Sequence, residues 1–335
     1  MKESILVTGG LGFIGSHTVA GLQQAGYDVV IVDDLSNSDI SVLDNITKIT
    51  SVKPHFYNYD INDAGALSKV FADHSIKAVI HFAASKAVGE SVLQPLKYYH
   101  NNVSGLISLL QIMENAGIKN IVFSSSCTVY GTPDALPVSE SSPVKKATSP
   151  YGATKQVCEQ ILEDCKNFNS IALRYFNPIG AHESGLIGEL PKGVPANLVP
   201  YITQCAAGLR DKIIIHGDDY NTSDGTCVRD YLHVTDLALA HIKAVERQLS
   251  AKQDNTFEIF NLGTGHGSTV LELITCFEKV NNLKLNYSIG PRREGDVEKV
   301  WADSSKANTI LGWKTEKSLE EMLKSAWQWQ LSLNR

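Results

Sequence analysis

The sequence predicts an α/β fold in which a doubly wound parallel sheet is followed by a smaller mixed α/β domain. Three observations lead to this prediction. Short apolar runs alternate with segments of helical spacing, a glycine-rich turn follows the first apolar run, and prolines become frequent after about residue 177. The chain has 335 residues, 43% of them hydrophobic, which suffices for two domains at roughly 100–200 residues each.

The apolar runs are rich in Val, Ile and aromatic residues, which is typical of strands buried on both faces of a sheet. They are Ser4–Thr8, Asp28–Val32, Pro54–Tyr59, Ala78–Phe82, Asn120–Ser124 and Ser170–Arg174. The segments between them with helical spacing include Ile14–Ala25, Ala64–Asp73, Ser104–Asn115 and Thr154–Lys166. This alternation indicates right-handed crossovers and a parallel sheet.

Beyond about Asn177, prolines and glycines mark long loops, followed by mixed short elements. We therefore expect one domain over 1–176 and a second, smaller one over 177–335. The run Phe257–Leu262 is apolar enough to return to the sheet of the first domain.

Composition excludes several classes of function. A net charge of −6 and a pI of about 5.9 give no reason to bind nucleic acid. No apolar run approaches the length of a membrane span, and the N-terminus lacks a signal-peptide pattern, so we expect a cytoplasmic protein without membrane contact. The six cysteines and ten histidines are scattered, without metal-ligand spacing, and we expect no metal.

The first apolar run leads into a glycine-rich turn in which Gly9, Gly12 and Gly15 are spaced three apart. Such glycines allow positive φ, close approach of a pyrophosphate and tight packing of helix on strand. The helix N-terminus then offers N–H groups to the phosphates. Asp33 ends the second strand, where a carboxylate accepts hydrogen bonds from both ribose hydroxyls and repels a 2′-phosphate, so the turn predicts NAD.

Tyr151 and Lys155 are four residues apart on a predicted helix and share one face. Ser126 closes the fifth strand, at the edge where ligands of open α/β sheets bind. Moving a phenol pKa from about 10 to about 7 takes about 4 kcal/mol, which a cation at about 4 Å supplies at an effective dielectric of about 20. Lys155, helped by a positive nicotinamide ring, is thus sufficient to make Tyr151 a base.

These residues resemble the extended short-chain dehydrogenase/reductase superfamily, which uses a nicotinamide cofactor with Ser, Tyr and Lys. Several further strings narrow the resemblance to the UDP-glucose 4-epimerase family. They are Lys86-Ala87-Val88-Gly89-Glu90-Ser91, Ser124-Ser125-Ser126-Cys127-Thr128-Val129-Tyr130-Gly131, Arg174-Tyr175-Phe176-Asn177-Pro178, Val228-Arg229-Asp230-Tyr231 and Pro291-Arg292-Arg293-Glu294-Gly295-Asp296. The resemblance runs from Ile5 to about Trp329.

The resemblance implies an isomerase that interconverts UDP-galactose and UDP-glucose on tightly bound NAD, by transient oxidation at C4 to a 4-keto sugar. It makes 1–176 the NAD-binding Rossmann domain and 177–335 mainly the UDP-sugar-binding domain. Tyr151 is then the base, Ser126 hydrogen-bonds O4, and Lys155 binds the nicotinamide ribose and lowers the tyrosine pKa.

The other site residues follow from the same resemblance. The cofactor is expected to contact Gly9, Gly12, Phe13, Ile14, Gly15, Asp33, Asp60, Ile61, Phe82, Ala83, Lys86, Asn101, Tyr151, Lys155 and Phe176. The substrate is expected to contact Lys86, Ser126, Tyr151, Asn177, Asn197, Arg229, Arg293, Asp296 and Val300. Arg229 and Arg293 are assigned to the pyrophosphate, because each guanidinium can bind it bidentately.

Three alternatives stay open at this point. Val300 stands where family members restricted to unsubstituted hexoses carry a tyrosine, which suggests that N-acetylated UDP-hexoses are also accepted, unless neighbouring residues fill the space. A nucleotide-sugar 4,6-dehydratase shares the fold but needs an Asp-Glu pair where this chain has Cys127 and Thr128. A catalytically silent NAD-binding sensor is the third reading.

The resemblance also implies a homodimer joined through helices within Leu93–Asn115 and Tyr151–Lys166. The apolar side chains of these segments suit either that interface or the subunit's own core. They include Leu106, Leu109, Leu110, Val157 and Ile161.

Overall fold

Seven parallel strands form the central sheet of the protein. The computed structural model describes residues 3–293 and 296–333. Strands β1–β14 are, in chain order, Ser4–Thr8, Asp28–Val32, His55–Tyr57, Ile76–His81, Asn120–Ser126, Asn169–Tyr175, Asn177–Ile179, Ile213–His216, Val228–Arg229, Tyr231–His233, Phe257–Leu262, Ser268–Thr269, Tyr287–Gly290 and Lys299–Val300. The central sheet has the order β3–β2–β1–β4–β5–β6–β11. Because every pairing within it is parallel, the predicted doubly wound sheet is confirmed.

Helices cover both faces of this sheet. Helices α1–α11 are Phe13–Gln24, Ser41–Thr50, Ala64–Asp73, Val88–Leu93, Pro95–Tyr98, Gly105–Asn115, Pro150–Asp164, Leu198–Ala206, Val234–Leu249, Val270–Asn281 and Leu319–Leu333. Tyr99–Ser104 and Ala307–Leu311 are π-helical, and Cys127–Tyr130 is a 3₁₀ turn.

The two faces follow from the alternation of side chains along each strand. Ile5 and Val7 of β1 are buried on the face that α1, α2 and α9 cover. Leu6, between them, is buried on the opposite face with α3, α6 and α7. A strand buried on both faces therefore reads as a continuous apolar run, which is why the sequence predicts these strands well.

Helix α7 begins at Pro150, four residues before the predicted start at Thr154. Ser149 is its N-cap, and the Ser149 hydroxyl accepts a hydrogen bond from the N–H of Gly152 at 3.2 Å. Proline suits the first helical position, because its φ is already helical and no N–H partner is needed there. Tyr151, which was predicted to share this helix with Lys155, therefore lies in the first turn of α7.

The sequence prediction omits α2, which lies on the same face as α1. Its residues Val42, Leu43 and Ile46 are buried there. The helix follows a loop rich in Asp, Ser and Asn, and its ten residues carry too short a periodic pattern to stand out.

The C-terminal part adds small sheets and a third core. β10 pairs with β7, β13 pairs with β8, and β9 lies between β12 and β14. Helices α8, α10 and α11 contribute to an apolar cluster separate from the central sheet. Two C-terminal elements instead join the central layers, since β11 pairs with β6 and α9 packs on α1.

The carboxyl ends of the central strands meet at one edge of the sheet, where the glycine turn, Asp33 and Ser126 all lie. Within residues 3–293 and 296–333, no helix is both long and apolar enough to cross a membrane.

Candidate active site

The turn between β1 and α1 forms a cradle that requires glycine at positions 9 and 15. Gly9 has φ +69°, and a Cβ there would lie 2.8 Å from the backbone N of Ala83. A Cβ on Gly15 would overlap the carbonyl oxygen of Gly9. Gly12 is the N-cap of α1, and none of the described side chains caps that helix. The turn therefore leaves backbone N–H groups for an anion, and these residues fit the pyrophosphate of a dinucleotide.

Asp33 follows β2 and is buried beside this cradle. Its carboxylate accepts hydrogen bonds from Leu11 N and Leu35 N, each at 3.0 Å, and from the Ser38 hydroxyl at 2.6 Å. A carboxylate has about four acceptor positions, so Asp33 fixes the loop and keeps capacity for a ribose hydroxyl. The neighbouring Asp34 is exposed and accepts from Ser36, which suits a surface charge.

The remaining predicted cofactor residues line the same edge of the sheet. Asp60 and Ile61 follow β3, Phe82 and Ala83 follow β4, and Phe176 follows β6. Phe13 and Ile14 begin α1, with Ile14 packed against the central core. The structure thus brings together residues that are spread over much of the sequence.

Asn102 was not singled out by the sequence, yet it links the loop after β4 to helix α7. Its side chain accepts from Ser85 N at 2.8 Å and donates to Ser85 O and to the Thr154 hydroxyl, each at 3.0 Å. The predicted residue Asn101 lies next to it, donating to Asn102 at 3.1 Å. Both lie in a π-helical turn, a feature that is frequent at functional sites and that gives no signal in the sequence.

Lys86 and Asn197, which lie far apart in the sequence, meet at one carboxylate. The Lys86 ammonium is 3.2 Å from Glu189 Oε1, and the Asn197 amide donates to the same oxygen at 2.6 Å. Glu189 could not be predicted from the sequence, because an isolated glutamate in a proline-rich loop belongs to no recognisable motif.

Ser126, Tyr151 and Lys155 form the centre of the site. Lys155 is buried, its ammonium donates to Ser124 O at 2.6 Å, and it lies 5.8 Å from the centroid of the Tyr151 ring. The Ser126 hydroxyl accepts from the N–H and hydroxyl of Thr128 at 3.2 and 3.0 Å. The same hydroxyl lowers the pKa of Tyr151.

Burial acts on the tyrosine and the lysine in opposite directions. It raises the pKa of Tyr151 to about 12, against the opposing effect of the Ser126 hydroxyl. It lowers the pKa of Lys155 to about 8. Among the protein's own groups, burial is the largest influence on Tyr151, and it opposes deprotonation of the phenol. The expectation that Lys155, helped by a positive nicotinamide ring, makes Tyr151 a base stays a prediction, because it includes the charge of the cofactor.

A buried network lies beneath these residues. Arg174 Nε donates to the Glu159 carboxylate at 2.9 Å, and the Ser125 hydroxyl also donates to Glu159. Glu159 is one turn beyond Lys155 on α7, and its charge favours the protonated lysine. This ion pair connects β5, β6 and α7 under the site.

Two predicted substrate residues of the C-terminal part, Arg229 and Arg293, converge on a third, Asp296. Its carboxylate is 2.7 Å from Arg293 Nη2 and 3.5 Å from Arg229 Nη2. Asn177 lies at the start of β7 and donates its N–H to Asp230 O at 3.0 Å.

Val300 pairs with Arg229 between β14 and β9. Arg292 instead binds Asp219, with Nε donating to the carboxylate at 2.6 Å. Two residues of the resembling string, Glu294 and Gly295, lie outside the described residues.

A family model described as GDP-mannose 4,6 dehydratase matches residues 6–326. The UDP-glucose 4-epimerase of Pasteurella multocida is 50% identical over 331 residues, which are 98% of this chain and 97% of that protein.

Two solved structures show the same similarity. A UDP-glucose 4-epimerase from Stenotrophomonas maltophila, with bound NAD and formylated UDP-arabinopyranose, matches with TM-score 0.96 and 47% identity, over 100% of this chain and 99% of that one. One from Bifidobacterium longum, in complex with NAD⁺ and UDP, matches with TM-score 0.94 and 46% identity over 98% of both chains. The chain belongs to the UDP-glucose 4-epimerase family of the extended short-chain dehydrogenases/reductases.

Proposed function

We propose that this protein interconverts UDP-galactose and UDP-glucose by redox-neutral epimerisation at C4, with NAD retained in the site. The observation that carries the proposal is the meeting of Tyr151, Ser126 and Lys155 beside the glycine cradle, at the carboxyl edge of the sheet. A proton-transfer group next to a dinucleotide cradle is what reversible oxidation of an alcohol requires.

Different residues of the chain carry out proton transfer and ligand binding. Tyr151 removes and returns the O4 proton, Ser126 hydrogen-bonds O4, and Lys155 holds the nicotinamide ribose. The glycine turn, with the remaining predicted cofactor residues, holds the dinucleotide. NAD, when bound, supplies the hydride acceptor and donor at C4 and a positive ring that favours the phenolate.

The substrate's nucleotide end is assigned to the C-terminal part. Arg229 and Arg293 bind the pyrophosphate, while Asn177, Asn197 and Asp296 hold phosphate, sugar or uridine ribose. In the structure the Asp296 carboxylate lies between the two guanidinium groups, 2.7 Å from Arg293 Nη2 and 3.5 Å from Arg229 Nη2, so it keeps them together and leaves other N–H groups of each for phosphate. We retain the division into 1–176 and 177–335, with Phe257–Leu262 returning to the first domain, as a proposal.

The decisive experiment incubates the purified protein with UDP-galactose, without added NAD, and follows the anomeric proton signals by NMR. We expect UDP-glucose to form with the wild type and not with Tyr151→Phe, which removes only the hydroxyl. Bound NAD, measured in both proteins after denaturation, shows that the variant still folds. Turnover that persists in Tyr151→Phe contradicts the assigned base.

The same spectra test the dehydratase alternative, which predicts a 4-keto-6-deoxy sugar. Elimination of water needs an acid and a base where this chain has Cys127 and Thr128. Burial raises the pKa of the Cys127 thiol to about 12, so it is a poor proton carrier near neutrality. We expect no 4-keto-6-deoxy product.

We propose that N-acetylated UDP-hexoses are also accepted. Val300 is buried beside Phe176 and Val129, and it pairs with Arg229, so its small side chain lies next to a proposed substrate residue. We expect turnover of UDP-N-acetylgalactosamine by the wild type and a loss of at least about tenfold in Val300→Tyr, while UDP-galactose turnover persists. Undetectable turnover of the N-acetylated sugar by the wild type would refute this specificity.

We also propose a homodimer. Leu106, Leu109 and Leu110 belong to the subunit's own core, but Leu93 and Leu96 each expose 82% of their surface beside α7. Exposed apolar side chains of this size are typical of an interface. Sedimentation equilibrium should show a dimer that Leu96→Asp weakens. The cytoplasmic location stays a prediction from the sequence.

A further inference from the structure

Three potential metal ligands that lie far apart in the sequence meet at the amino edge of the central sheet. Asp28 begins β2, His55 begins β3, and His74 lies between α3 and β4. One ligand atom from each residue lies within 4.8 Å of the other two. The two imidazole rings have centroids 4.6 Å apart, and His55 Nε2 is 3.8 Å from Asp28 Oδ1.

We propose that Asp28, His55 and His74 bind a divalent transition-metal ion of the Zn²⁺ type. Two imidazoles and one carboxylate are the usual ligands of Zn²⁺, Ni²⁺ and Cu²⁺, which they bind at about 2.0–2.2 Å. Ligand atoms around such an ion lie about 3.3–3.5 Å apart, so small side-chain rotations would bring the three ligand atoms to binding distance. Three protein ligands leave a further position for water.

Neighbouring polar groups orient two of these ligands. The Ser4 hydroxyl donates to Asp28 Oδ2 at 2.9 Å, which leaves Oδ1 on the side of His55. His74 Nε2 lies 2.9 Å from the Tyr57 hydroxyl, which in turn lies 3.4 Å from Asp73 Oδ2. In metal-binding histidines, the ring nitrogen that does not bind the metal is usually hydrogen-bonded to a polar partner, which fixes the orientation of the ring.

The pairing of the strands places the three candidate ligands close together at one edge of the sheet. His55 pairs with Val30, two residues along β2 from Asp28, and Ser4 pairs with both Asp28 and Ile76. A bound ion would therefore connect β2, β3 and the segment entering β4. Because Tyr151 and Lys155 lie at the opposite, carboxyl edge, this site is independent of the proposed catalysis.

This proposal replaces the expectation of no metal drawn from the sequence. The three residues show no ligand spacing along the chain, since Asp28 begins β2, His55 begins β3 and His74 follows α3. Parallel strands align their amino ends at one edge, so only the folded sheet brings the ligands together.

Isothermal titration of the purified protein with ZnCl₂, in a buffer that does not chelate the ion, tests the proposal. We expect one Zn²⁺ per chain, and no heat from MgCl₂, because Mg²⁺ prefers oxygen ligands. His55→Ala, His74→Ala and Asp28→Asn should each weaken Zn²⁺ binding at least about tenfold. His216→Ala, which removes an exposed histidine from β8, is the matched control and should bind as the wild type does.

A second readout uses stability, since an ion bound to the folded state raises Tm. Zn²⁺ should raise Tm in the wild type and in His216→Ala, and not in His55→Ala. His55 is exposed, so this variant should fold normally without metal. Equal Zn²⁺ affinity in the wild type and the three ligand variants would place the ion elsewhere and overturn the proposal.

Discussion

Tyr151 and Lys155 show how a buried environment sets proton affinity at the scale of single residues. Burial leaves the phenol neutral and the ammonium charged near pH 7, with the pKa of Tyr151 at about 12 and that of Lys155 at about 8. The side chains alone thus favour the state in which the phenol keeps its proton. Under the proposed function, the positive charge of the bound nicotinamide is what shifts this balance toward proton removal.

Glu189 has a role that is apparent only in the structure. Its carboxylate holds both Lys86 and Asn197, which are proposed to contact ligands. Because an ion pair with one half-exposed partner contributes about 1 kcal/mol, we expect Glu189→Gln to raise KM for UDP-galactose about fivefold with little change in kcat. Initial rates over a range of substrate concentrations measure both quantities.

The control for this variant is Glu246→Gln, which breaks an exposed ion pair with Lys243 on α9. We expect its KM to equal that of the wild type. If Glu189→Gln also leaves KM unchanged, Lys86 and Asn197 do not depend on Glu189 for their positions.

Helix α7 is the element on which the proposed chemistry depends, because it carries both Tyr151 and Lys155 in its first two turns. Its N-cap is Ser149, so Ser149→Ala should cost about 1 kcal/mol of stability and loosen the first turn. We expect kcat to fall about threefold or more, as Tyr151 loses its fixed position. Urea unfolding and initial rates measure the two effects.

Thr269→Ala provides the matched comparison, because Thr269 caps α10 by accepting from the N–H of Glu272 at 3.0 Å. It should lose a similar amount of stability without loss of kcat. An equal fall of kcat in both variants would mean that general destabilisation, and not the position of Tyr151, causes it.

At the scale of the whole molecule, buried histidines govern the response to acid. Burial lowers the pKa of His17 and His81 to about 3, and that of His233 and His241 to about 4. Between these values and the ordinary pKa of about 6.5, the unfolded chain binds more protons than the folded one. Stability should therefore be greatest above pH 6.5 and fall as the pH is lowered toward 4.

His241 allows this pH dependence to be tested. Its Nδ1–H donates to Leu237 O at 2.9 Å, while its Nε2 is buried without a hydrogen-bond partner among the described residues. His241→Leu should reduce the loss of stability by about 1.4 kcal/mol per pH unit near pH 5, since one proton fewer is taken up on unfolding. Urea unfolding at pH 7, 6 and 5 provides the slopes, and the exposed His100→Leu should keep the slope of the wild type. Identical slopes in all three proteins would contradict the prediction.

Features that depend on neighbours along the chain can be predicted from the sequence. The run Ser4–Thr8 followed by Gly9, Gly12 and Gly15 specifies a strand, a turn and a helix, because backbone sterics and side-chain alternation act locally. Tyr151 and Lys155 share a helix face through their spacing alone. The parallel sheet follows from the order of such units.

Contacts between side chains that are distant in the sequence depend on tertiary packing. Glu189 with Lys86, Asn102 with Thr154, and the cluster of Asp28, His55 and His74 have no periodicity, since their contacts arise from strand register and loop packing. The pKa of Tyr151 also depends on the fold, because desolvation is set by everything packed around the phenol. Local pattern thus specifies the elements, and packing between them specifies the chemistry of the sites.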